Sequence, residues 1–140
     1  MGKKLKAVID TNIVFAALAN RKGAAYKILQ RFFQRQFDWV NSPQTFGEYQ
    51  GVLSVSQKIS PTSLQIFLHL LQKRSINIQI ANTLHICKDP DDDKFLETAL
   101  AGGADFLVTK NLKHFPRKSY QGIRIVNVAT FLKELEKIFP

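Results

Sequence analysis

With Cys87 as its only cysteine, the sequence can build neither an intramolecular disulfide framework nor a thiolate metal cluster. A lone cysteine of this kind is expected to pack as a small apolar residue. No uninterrupted run of 18 apolar residues exists, so a membrane-spanning helix is not expected. Lysines at positions 3, 4 and 6 run into a short strand-like segment rather than the apolar core of a secretion signal, which points to a cytoplasmic protein. Neither a G-x-G-x-x-G fingerprint nor a phosphate-loop motif occurs, which argues against a nucleotide-cofactor enzyme. Internal repeats, low-complexity stretches and linkers are missing as well. At 45% hydrophobic content, 140 residues are enough to close one core, and a single domain over residues 1–140 is expected.

Acidic residues are scarce too, and unevenly placed. Lys and Arg number 20 against 11 acids, and the formal charge of +9 favours a polyanionic partner, nucleic acid first, through phosphate contacts and counterion release. The first 88 residues hold 12 basic side chains and only three acids, Asp10, Asp38 and Glu48. Asp89, Asp91, Asp92 and Asp93 then crowd together. These few carboxylates are the candidates for chemistry.

The apolar pattern places them on an alternating scaffold. Leu5 to Ile9 reads as a strand, and Asn12 as the cap of a helix through Ala19. Residues 24–36 form a helical stretch with Ile28, Leu29, Phe32 and Phe33 on one stripe, and Phe37 to Val40 a second strand. Ser42-Pro43, Ser60-Pro61 and Asp89-Pro90 are three cap-plus-proline helix starts. The first two open helices to about Ser54 and about Arg74, and the third is stopped by Gly102-Gly103. Ile76, Ile78 and Ile80 alternate as a strand, Asp105 to Thr109 and Ile123 to Val126 read as strands, and Ala129 to Phe139 as a closing helix. This order predicts a three-layer α/β/α fold with a central, mainly parallel sheet of four to five strands. Ligands of such sheets sit beyond the carboxyl ends of the strands, where Asp10 and Thr109-Lys110-Asn111 fall.

Asp10 follows the first strand directly. Glu48 lies in the second turn of its helix, too far in to cap it, at the flank of a stripe of Phe46, Tyr49, Val52 and Leu53. Within the aspartate cluster Asp89 is a cap and Asp91 and Asp92 complement the helix dipole, so capping explains Asp93 least. Asp92 also projects toward the apolar face near Leu96 and Ala99 and stays open as a ligand. Carboxylates gathered from separate elements repel one another unless a cation neutralises them, and oxygen ligands without thiolates select Mg²⁺ or Mn²⁺ over zinc. Such a site can activate water and orient a phosphodiester.

Taken together, AVIDTNIVFAAL at residues 7–18, SPQTFGEYQGVL at 42–53, KDPDDDKFLETALAGGADFLVTKN at 88–111 and NLKHFP at 111–116 resemble the PIN domains, and among them the bacterial toxins of the VapC kind. The resemblance implies a PIN-like fold and an Mg²⁺- or Mn²⁺-dependent endoribonuclease acting as the toxin of a type II toxin-antitoxin pair. It implies Asp10, Glu48 and Asp93 as catalytic, metal-binding acids, with Asn12 and Thr109 as nearby polar positions. It favours Asp93 over Asp92 by the 16-residue spacing to Thr109. RNA, a cognate antitoxin and a second copy of the chain are the implied partners, and Lys110 and His114 the candidate RNA contacts. Where many PIN domains carry a fourth acid this sequence has Asn111, which offers a carbonyl oxygen but no charge. That departure keeps a second expectation open, a catalytically weakened nucleic-acid-binding protein on the same fold.

Overall fold

In the computed structural model, which describes residues 4–140, β1 (Lys6–Ile9) runs into α1 (Thr11–Ala19) and α2 (Ala24–Phe33). β2 (Asp38–Asn41) leads to α3 (Pro43–Ser54) and α4 (Pro61–Arg74), and the two-residue β3 (Ile76–Asn77) through a loop to α5 (Pro90–Ala101). β4 (Phe106–Val108), a single 3-10 turn at Leu112–His114, β5 (Ser119–Tyr120), β6 (Ile123–Val126) and α6 (Val128–Ile138) complete the chain. Of the N-terminal lysines, Lys3 lies outside the described residues.

The three cap-plus-proline signals open helices as expected: Ser42 accepts from Thr45 N, Ser60 from Ser63 N and Asp89 from Asp91 N. Asn12 does not cap. Asp10 holds the N-cap position of α1 with its side chain turned elsewhere, and Asn12 stands exposed in the first turn. α2 stops at Phe33 rather than residue 36, because Arg35 takes a left-handed φ of 60°. Ile78 and Ile80 fall outside β3, although Ile78 N still reaches Asn41 O at 2.8 Å. Val52 faces solvent, while Tyr49 and Leu53 carry the buried side of α3.

Six strands pair in the order β3-β2-β1-β4-β6-β5, one more than the upper expectation. All neighbours are parallel except β5, which folds back on β6 through Gln121 and Gly122, both at positive φ. Two-residue strands carry no readable alternation, which is why β5 escapes the sequence pattern. Adjacent residues of β2 face opposite sides of the sheet. The Trp39 ring packs among Phe32 of α2, Tyr49 of α3 and Phe67 of α4. Val40 on the other side meets the end of α5. Helices therefore cover both faces, and no helix among the described residues is long and apolar enough to cross a membrane.

The glycine pair after α5 divides its work. Gly103 takes φ +64°, the left-handed stop, whereas Gly102 is needed for space: a Cβ there would stand 2.4 Å from Val40 Cγ1. Gly102→Ala is expected to cost about 1–3 kcal/mol by overpacking, read as a drop in denaturation midpoint at unchanged slope. A midpoint equal to wild type would show that α5 and β2 separate freely.

Candidate active site

The sheet order reverses direction between β1 and β4, and the crevice beyond their carboxyl ends is where the carboxylates gather. Ile9 pairs with Val108, so the next residues, Asp10 and Thr109, stand side by side. Thr109 Oγ1 donates to Asp10 Oδ2 at 2.7 Å and accepts from Asn111 N at 3.0 Å. Asp10 is 4% exposed, and no lysine or arginine pairs with it among the described residues. Burial pushes its pKa up against the opposing hydrogen bonds from Thr109 and Thr11, and the charge of Glu48 adds to the rise.

Glu48 reaches the same crevice from α3. Tyr49 beside it is wholly buried and donates its hydroxyl to Ile9 O, which fixes α3 against the end of β1. Glu48 Oε2 accepts the Thr11 hydroxyl, and Glu48 Oε1 stands 2.8 Å from Lys94 Nζ of α5. Thr11 and Lys94 were not among the sequence candidates. A lysine following four aspartates in five residues reads as local charge balance, and nothing in its spacing marks a contact 46 residues away.

The first turn of α5 separates the two aspartates that sequence left in competition. Asp93, 7% exposed, turns back to the preceding loop, where Oδ1 accepts Cys87 N at 2.8 Å and Ile86 N at 3.1 Å. One turn later Glu97 accepts Leu84 N at 2.9 Å and Asn82 N at 2.6 Å, so the pair clasps the loop by four backbone amides. Burial pushes the Asp93 pKa up, yet the Cys87 and Ile86 amides outweigh it and hold the carboxyl below its ordinary value. Asp92 turns the other way. Its Oδ2 lies 3.2 Å from His114 Nδ1, and burial, Asp10 and Asp89 together push its pKa to about 6. Burial, with Asp93 adding to it, pushes the Cys87 thiol up to about 12, which keeps it protonated.

Asn111 sits one position past Lys110 at the start of the 3-10 turn, its side chain making no cap bond. Lys110 is exposed and, with Lys58, flanks a groove of about 690 Å³ lined by Phe15, Ala16, Ala19 and Asn127. Among the described residues no three His, Cys, Asp or Glu side chains converge as a ready-made metal cage. Two of the departures have visible causes: Glu48 is drawn to Lys94, and Asp93 to the loop amides.

The fold is that of the PIN domain, and the chain belongs to that family: the family's sequence profile matches residues 6–113, a span that includes every carboxylate described above. PIN domains are generally nucleases and typically use divalent metal. An uncharacterized protein of Methanocaldococcus jannaschii is 25% identical over 146 aligned residues, covering 96% of this chain and 94% of the relative. The crystal structure of VapBC2 from Rickettsia felis, bound to a DNA fragment from its promoter, shares the fold with a TM-score of 0.55 at 20% identity, over 88% of this chain and 98% of that one.

Proposed function

We propose that the chain is an Mg²⁺- or Mn²⁺-dependent endoribonuclease of the cytoplasm, the toxin of a type II pair, working as a homodimer with an antitoxin that covers its crevice. The observation that carries the nuclease reading is Asp10: a buried carboxylate with no lysine or arginine partner among the described residues, at the reactive end of the sheet in a chain of charge +9. Asp10 and Asp92 suit a hard divalent ion, since both offer only oxygen and the pKa of each is raised without one. The antitoxin and the homodimer rest on the family resemblance, and the antitoxin also on the likeness to VapBC2.

In this reading Asp10 and Asp92 hold the ion, with Glu48 as the third acid of the crevice. Asp92 is preferred to Asp93, whose Oδ1 already accepts the Ile86 and Cys87 amides. Bound there, the ion supplies an acidified water and charge stabilisation at the phosphodiester. Thr109 orients Asp10 by its hydroxyl, and the Asn111 amide in turn fixes Thr109. His114 pairs with Asp92 through Nδ1, and in the doubly protonated form its nearly half-exposed ring also offers Nε2–H to a phosphate oxygen. Lys110 and Lys58 line the groove along which the strand would lie. Asn12 has no part in this account, being exposed and without a role in the crevice.

Ion at 100 times its Kd should stabilise the fold by about 2.7 kcal/mol, or roughly 8 °C in melting temperature for a chain of this length, relative to EDTA. Single-stranded RNA should be cut with Mn²⁺ and left whole with EDTA. Equal melting curves together with no cleavage would overturn the proposal. Retained RNA binding without cleavage would select the catalytically weakened reading, which the uncharged Asn111 favours.

A further inference from the structure

Glu48 differs from the other two acids of the crevice in having both oxygens occupied by side chains. Lys94 and Glu48 are each less than a quarter exposed, and their ion pair joins α5 to α3 across the sheet end. The Thr11 hydroxyl takes the remaining oxygen from the start of α1. These partners come from the two helices that also carry Asp92 and Asp10. The fourth side of the crevice, at Asn111, brings no charge. Three carboxylates remain to be neutralised, and one divalent ion with one ammonium matches them. A second divalent ion would leave excess positive charge and would have to displace Lys94 from a half-buried carboxylate.

We infer that Lys94 is a resident cation of this site: its ammonium stays on Glu48 in the place of a second divalent ion, so that each chain takes up one ion. This rests on the metal-dependent reading above. Lys94 is thereby a positioning residue. It holds Glu48 at the edge of the crevice and sets the number of ions the carboxylates accept. An exposed ion pair would carry no such weight, since its members separate and re-form at little cost. Here the pair spans 46 residues, is partly buried and is backed by a third side chain.

The test is a Mn²⁺ titration of the RNA-free protein, with free ion read by electron paramagnetic resonance. Wild type and Lys94→Arg, which keeps the charge, should each bind one ion per chain. Lys94→Met frees Glu48 and should bind two; Lys94→Gln, which retains a hydrogen-bond donor without the charge, should do the same and serves if the Met variant fails to fold by circular dichroism. Two ions per wild-type chain would overturn the inference, as would a single ion, at whatever affinity, in a folded charge-removing variant. No bound Mn²⁺ in any of these proteins would instead sink the metal-dependent reading itself.

Discussion

Asp92→Asn is expected to lower RNA cleavage about 1,000-fold, whereas Asp93→Asn keeps cleavage within about 100-fold of wild type and lowers the melting temperature instead. The difference follows from where the two carboxylates point. Asp92 pairs with His114, while Asp93 accepts the amides of Ile86 and Cys87. Hydrogen bonds to a charged acceptor are worth about 1.5–3 kcal/mol, so neutralising Asp93 should lower the melting temperature by roughly 5–10 °C. The Asp93 pKa is depressed in the fold, so its contribution is fully present above the ordinary value of 3.8 and is lost as the pH falls through the folded value. Single-turnover cleavage and thermal melts on the two variants check the assignment. An inactive Asp93→Asn beside an active Asp92→Asn would return the third acid to the position favoured by the 16-residue spacing.

Asp10→Asn should abolish cleavage at every Mn²⁺ concentration and, against the usual trend for buried substitutions, stabilise the metal-free protein by about 3 °C or more. The amide oxygen can still accept the Thr109 hydroxyl, while the cost of a buried charge without a cation disappears. Its pH dependence has a definite sign. A carboxyl whose pKa is raised in the fold binds protons more readily there than in the unfolded chain. Its contribution is fully present below the unfolded value of 3.8 and is lost as the pH rises through the raised folded one. In EDTA, wild type should therefore lose stability relative to Asp10→Asn as the pH rises from 3.8 through the folded Asp10 value. A wild type that gains on the variant over that window would mean Asp10 has a cationic partner after all.

Much of this architecture is legible before any coordinates. Ser-Pro and Asp-Pro pairs mark three helix starts because they combine a capping oxygen with a preset φ, and four of the strands are apolar runs long enough to read. The alternating order brings Asp10 and Thr109 to one end of the sheet by topology alone. What sequence does not carry is side-chain direction within a single turn. Asp92 and Asp93 are equally acidic and adjacent, and only the return of residues 82–87 over α5 turns Asp93 away. Lys94 is hidden for the same reason, since its partner is fixed by the packing of α3 on α5. Asn12 illustrates the opposite error: a good capping residue one step from a backbone that Asp10 had already bent into the cap position.

Three successive residues of α5 thus serve three different neighbours, Asp92 with His114, Asp93 with the loop amides and Lys94 with Glu48. Consecutive side chains of a helix diverge by about 100°, so the three contacts hold α5 from three directions spread over about 200° and fix its rotational phase about its own axis. The helix cannot roll to improve one contact without losing the other two. Its sliding is limited as well, since Val40 fills the space against Gly102 at the far end. The acid that meets His114 is therefore aimed by the whole length of the helix, as a key is by its teeth rather than its tip.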